Sequence, residues 1–207
     1  MTKSLDVLTL GSVVVLIALV VSGIAPFDRT TWWMEVAPVL IGFPVLWLMR
    51  RGRNYFEFTR LVYVLICVHA LVLILGGAYS YARVPLGFWM QDIFDLTRNP
   101  YDKIGHFMQG FVPAIAAREI LLRNDILKHG KMLIFIVISI VLAISASYEL
   151  IEWAAALALG EGAEEFLGTQ GYEWDTQSDM FFALIGSVSA LFLLSKWHDR
   201  QFYKLVH

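Results

Sequence analysis

The chain is poor in the residues that build soluble or extracellular folds. One cysteine in 207 residues, Cys67, excludes an intramolecular disulfide framework and says nothing about redox compartment. Charged residues make up only 16% of the chain, and neither low-complexity tracts nor Pro/Gly/Ser-rich linkers interrupt it. HExxH, CxxC and GxSxG are all absent, so no short motif announces a metalloprotease, a redox pair or a nucleophile elbow. Basic residues interleaved with aromatics are missing too, which argues against nucleic acid as a partner.

What remains is apolar. Hydrophobic residues make up 58% of the sequence and its mean hydropathy is +0.64, values that belong to a membrane protein. Runs near the roughly 17–25 residues that cross a bilayer lie at about 5–25, 32–49, 61–82, 103–121, 132–156 and 178–196. They far exceed typical strands of roughly 3–10 residues. The expectation is an all-α polytopic membrane helix bundle of about six transmembrane helices, forming one domain over 1–207. Lys3 ahead of an apolar stretch ending in small residues also fits a signal peptide; we expect a retained helix.

Lys and Arg set the orientation. Arg50, Arg51, Arg53 and Arg60 follow the second run; Arg118, Arg123, Lys128 and Lys131 surround the loop after the fourth; Lys196, Arg200 and Lys204 form the tail. The loop at 157–177 holds no Lys or Arg, and Arg29, Arg83, Arg98 and Lys103 are the only basic residues of that side. The positive-inside rule then places both termini in the cytoplasm.

Against this background three acidic stretches need explaining: "YDKIGHF" (101–107), "SASYELIEW" (145–153) and "GTQGYEWDTQSDMFFALIG" (168–186). In the first, Asp102, His106, Gln109 and Pro113 recur at helical spacing; in the second, Ser145, Glu149 and Glu152 do; in the third, Asp175, Asp179, Phe182 and Gly186 do. The topology puts all three stripes near the outer face. Ionisable residues at such depth face the bundle interior and pair with one another or mark a site. Asp175 and Asp179 open a helix and are also suited to capping it. Glu149 and Glu152 lie toward a helix C-terminus, where the dipole disfavours negative charge, so each needs a proton, a cation or a donor such as Lys103 or Arg83.

Two chemistries suit one imidazole among carboxylates. His106, Glu149 and Asp179 are suited to ligate a divalent cation, Mg, Mn, Ca or Zn; alternatively the crowded acids and His106 form an acid/base set without metal, with Glu152 and Asp175 in support. Arg83, which ends the third run beside Tyr79 and Tyr81, is suited to an anionic head group, with Asp102 and Gln109 as further substrate contacts. The segment "PLGFWMQDIFDL" (85–96) reads as an amphipathic helix on the membrane, an interfacial anchor or a lid. Glu35 and His69 are weaker candidates, Pro38 and Pro44 should kink the second helix, and Gly186 with Ala190 suits close helix packing.

These same stretches, read as "YDKIGHFMQGFVPAIAAREILLR", "SASYELIEW" and "FLGTQGYEWDTQSDMFFALIG", resemble the YjdF family of bacterial inner-membrane proteins over about residues 100–190. A weaker similarity joins them to VanZ-like proteins. Asp102, Lys103, His106 and Phe107 match the "DKxxHF" element as they stand; Glu152 stands where VanZ-like chains tend to carry Gln, and the Asn that usually follows the Asp of the last element is absent. The first resemblance implies a multi-pass protein of the inner membrane, and the second a link to the cell envelope and glycopeptide resistance. Three functions stay open: a membrane-embedded hydrolase or transferase acting on an envelope lipid or lipid-linked substrate, an ion-coupled transporter, or an accessory protein whose polar cluster fixes packing. Membrane lipids are the expected partners, and the oligomeric state stays open.

Overall fold

The computed structural model describes residues 2–51, 55–159 and 170–206, with side chains over 7–51, 55–158 and 170–205. Arg53, the Lys3 side chain, the start of the third acidic stretch at Gly168 and the acid-rich part of the 157–177 loop lie outside these residues. Seven α-helices follow in order among the described residues: α1 Thr2–Ile24, α2 Arg29–Met49, α3 Arg60–Tyr79, α4 Pro85–Phe94, α5 Tyr101–Arg123, α6 Lys131–Leu159 and α7 Asp175–Val206, with a 3₁₀ turn at Tyr81–Arg83 between α3 and α4. No strand occurs among the described residues.

Among the described residues five helices, α1, α2, α3, α6 and α7, are long and apolar enough to cross a membrane. The expected sixth, α5, is 23 residues long, about 34 Å at 1.5 Å per residue; Asp102, Lys103, Arg118, Glu119 and Arg123 lower its apolarity. It lies between α3, α6 and α7, which lets its polar side chains turn inward. The last helix runs further than its apolar run, to Val206, because Lys196, Arg200 and Lys204 extend it into the polar tail. Pro38 and Pro44 both sit inside a continuous α2, and Asp28 caps that helix, accepting a hydrogen bond from the Thr31 amide at 2.7 Å.

Close packing of α5 on α7 positions the site. A Cβ added at Gly110 would strike the Ala183 carbonyl, and one at Gly186 would strike the backbone of Phe107 and Phe111. Two glycines thus bring the backbones together, the ordinary use of small residues between helices in lipid. Ala190 is fully buried along the same helix. Large apolar side chains such as Leu10, Ile17, Phe135 and Phe192 point outward, as lipid-facing residues do.

The helix ends meet in two groups. At one end the starts of α2, α5 and α7 meet the ends of α3 and α6: Phe27 N–H donates to the Ala78 carbonyl, Tyr148 to Glu35, and His106 faces Glu149 and Asp179. At the other end the start of α3 meets the ends of α5 and α7. The three acidic stretches therefore share one end of the bundle.

The opposite end holds a cluster that sequence reading passed over. Glu119, fully buried, accepts from Thr59 N–H at 2.8 Å and Thr59 Oγ1 at 2.7 Å. His198, also fully buried, lies with Nε2 2.9 Å from Glu119 and Nδ1 2.5 Å from an Arg118 nitrogen. Because a guanidinium only donates, Nδ1 is the acceptor and Nε2–H donates to Glu119. Arg118 also bridges to Asp199 at 2.7 Å, Arg123 donates to the Glu57 carbonyl, and Arg50 pairs with Glu57 at 3.1 Å. Each acid here has a basic partner, while Arg50 keeps Nε and Nη1 buried without an acceptor among the described residues, and the network ties α3, α5 and α7 together.

Candidate active site

The site is built on the first two turns of α5. Asp102 and His106 are one turn apart, so both point toward α7, and Asp102 Oδ1 lies 3.4 Å from His106 Nε2. From the second turn of α7, Asp179 Oδ2 approaches the same nitrogen at 3.9 Å. The other ring nitrogen, Nδ1, faces Gln109 Oε1 at 3.2 Å and Glu149 Oε1 of α6 at 3.9 Å. A neutral ring that carries its hydrogen on Nδ1 donates to Gln109 and turns the Nε2 lone pair toward Asp102 and Asp179, the arrangement that orients a metal-ligating histidine.

One donor atom each from Asp102, His106 and Asp179 lies within 4.8 Å of the others. Oxygen ligands of calcium stand about 2.3–2.6 Å from the ion, so opposed donors are about 5 Å apart; smaller ions require the three side chains to draw in. Of the expected trio of His106, Glu149 and Asp179, His106 and Asp179 belong to this group; Glu149 lies on the other side of the ring, 3.9 Å from Nδ1, and Asp102 stands beside Nε2 in its place.

Pairing in this cluster is incomplete. Asp102 Oδ2, Glu149 Oε1, Asp179 Oδ1 and Ser145 Oγ are buried with no hydrogen-bond partner among the described residues. Asp175 differs: it opens α7 and pairs with Arg98 at 2.5 Å. Lys103, a candidate counter-ion, lies instead over the rings of Tyr172 and Phe182. Arg83 is exposed, stacks 4.1 Å over Phe27 and is not among the residues lining the cavity beside the cluster.

That cavity, of about 210 Å³, opens between α2, α3, α5 and α6. Asp102, His106 and Gln109 of α5 line it, with Tyr148 and Glu152 of α6, Glu35 of α2 and Tyr81 completing its polar lining. Glu35 is buried and accepts from Tyr148 Oη at 3.4 Å. Pro113 also lines it, and its missing N–H leaves the Gln109 carbonyl without its helical donor. His69 lines the same space with Nε2 unpartnered. Glu35 and His69 looked isolated in sequence; the fold sets both on the wall opposite the cluster. Tyr148 went unnoticed because a tyrosine beside Glu149 carries no signal until α2 is placed against it.

Helices of membrane length around an inward acid–imidazole cluster define a polytopic helical membrane protein. The family profile described as "Predicted membrane protein (DUF2238)" matches residues 7–200, and inner membrane protein YjdF of Escherichia coli (strain K12) is 50% identical over 203 residues, spanning 97% of this chain and 96% of the relative. The chain belongs to this YjdF family of membrane proteins. No solved structure matches it.

Proposed function

We propose that the chain is a bacterial inner-membrane protein, both termini cytoplasmic, whose cavity beside His106 is the active site of a membrane-embedded hydrolase or transferase. It acts from the outer face on an envelope lipid or lipid-linked substrate. The observation that carries this reading is the charge imbalance. Glu35, Asp102, Glu149, Glu152 and Asp179 converge on one imidazole, and three of these acids keep a buried oxygen without a partner. Buried carboxylates are costly unless protonated or met by cations. The opposite end shows what a packing cluster looks like in the same bundle: there Glu119 has Thr59, His198 and Arg123.

The side-chain roles follow from position. Asp102, His106 and Asp179 hold a divalent cation, whose chemistry when bound is to polarise a phosphoryl or carbonyl oxygen. Gln109 fixes the imidazole through Nδ1, and the negative charge of Glu149 beside that nitrogen raises the basicity of the ring. Glu152 and Glu35 stand across the cavity, where a carboxyl that gains and loses a proton serves the reacting group. Asp175, locked to Arg98, positions the start of α7.

The test compares envelope lipids from cells lacking the gene and complemented with wild type or with Glu149→Gln. The proposal expects one lipid species to accumulate both without the gene and with the variant, while variant protein reaches wild-type levels in the membrane. A wild-type lipid profile with Glu149→Gln would overturn it.

A further inference from the structure

A second cavity, of about 530 Å³, lies on the neighbouring flank of α5. Its walls are Met90 of α4, Ile104 and Phe107 of α5, Tyr172, and Phe182 of α7, and Lys103 stands among them. The Lys103 ammonium is 5.6 Å from the Tyr172 ring and 5.2 Å from the Phe182 ring, and no carboxylate lies within ion-pair distance of it among the described residues. Arg98, at the rim, is committed to Asp175 at 2.5 Å and to the Tyr172 ring at 4.3 Å.

An ammonium held against two rings still has donors to give. A wholly apolar occupant would leave that charge unmet, and a bare anion would leave the apolar walls wet; an amphiphile with an anionic head satisfies both. Lys is a compact, point-charge partner for phosphate, and the volume lies within the roughly 300–1,000 Å³ of ligand pockets. We infer that this cavity binds a phosphate-bearing lipid, its phosphate on Lys103 and part of its chain along Ile104, Phe107 and Phe182.

This inference rests on the proposed active site and names its substrate class. Lys103 follows Asp102, Phe107 follows His106, and Phe182 is one turn from Asp179, so a head group on Lys103 is delivered to the flank of the acid–imidazole cluster. The Arg98–Asp175 pair ties the second cavity, which Arg98 lines, to the first turn of the helix that carries Asp179.

The full chain in detergent micelles is titrated with phosphatidic acid, with diacylglycerol of the same acyl chains, and with inorganic phosphate, and bound species are counted by native mass spectrometry. Phosphatidic acid should bind at least about tenfold tighter than diacylglycerol, the scale of one charge-assisted hydrogen bond, and inorganic phosphate should not displace it. Lys103→Gln should erase the preference, and Lys103→Arg should keep most of it. Should Lys103→Gln not fold, Ile104→Trp fills the cavity and must lower phosphatidic acid binding. Equal binding of diacylglycerol, wild-type binding by Lys103→Gln or by Ile104→Trp, or displacement by inorganic phosphate at equal concentration would each overturn the inference. Retained metal in Lys103→Gln alongside lost lipid preference supports the lipid site separately. Asp179→Asn should lose metal and keep lipid binding, so failure of the metal site alone leaves the lipid result standing.

Discussion

Asp179 of α7 and His106 of α5 meet across the tightest helix pair of the bundle, Oδ2 standing 3.9 Å from Nε2. Neither element puts them there alone. Gly110 and Gly186 set the separation of the two backbones, and the carboxylate and imidazole share one depth because each lies on the second turn of its helix. Replacing Gly110 with Leu should therefore be worse than an ordinary overpacked site, which costs about 1–3 kcal/mol, since the obstacle is backbone. The folded, monodisperse yield in detergent should collapse, whereas Gly42→Leu, which meets nothing within 4 Å, should leave it near wild type.

The Glu119 network should behave as packing. Glu119→Ala takes the acid away from buried His198 and from Arg123 and should cost about 3–5 kcal/mol, as breaking a buried pair does, seen as a lower melting temperature. Any effect on the envelope lipid profile should scale with the amount of folded protein. A folded Glu119→Ala with a deletion profile would move the active site to the other end.

Asp28 offers a pH test outside the membrane spans. The Thr31 backbone N–H, then the Thr31 side chain, hold its carboxyl below the ordinary value of 3.8. A depressed folded value means the capping contribution is fully present above the ordinary carboxylate range and is lost as pH falls through the lowered value. Asp28→Ala should cost about 1 kcal/mol at pH 7, and the difference in melting temperature from wild type should shrink on acidification below about pH 4.

Orientation is open to direct test. Reporter fusions after Lys131 and after Gln170 should lie on opposite sides, cytoplasmic and external. Both on one side would remove the outer-face placement of the cluster.

Much of this architecture was legible because membrane helices declare themselves by length and apolarity, and because helical spacing alone aligned Asp102 with His106, and Asp175 with Asp179. The alternation of helix ends then follows from counting spans. Partners across helices were not legible. Glu119 and His198 sat among Lys and Arg that read as topological signals, and nothing in either stretch names the other. Glu35 gained meaning only when α2 brought it to Tyr148. Lys103 looked like a counter-ion for Glu149, yet its side chain leaves α5 on the neighbouring flank, toward Tyr172 and Phe182.

The proposed cation at His106 is open to direct measurement of metal content. Protein purified without metal-chelating affinity resin and dialysed against trace divalent ions should retain about one ion per chain by elemental mass spectrometry, wild type and Glu119→Gln alike, whereas Asp102→Asn and Asp179→Asn, folded by melting temperature, should retain none. Wild-type protein that keeps no divalent ion, or an Asp179→Asn variant that keeps as much as wild type, would contradict it.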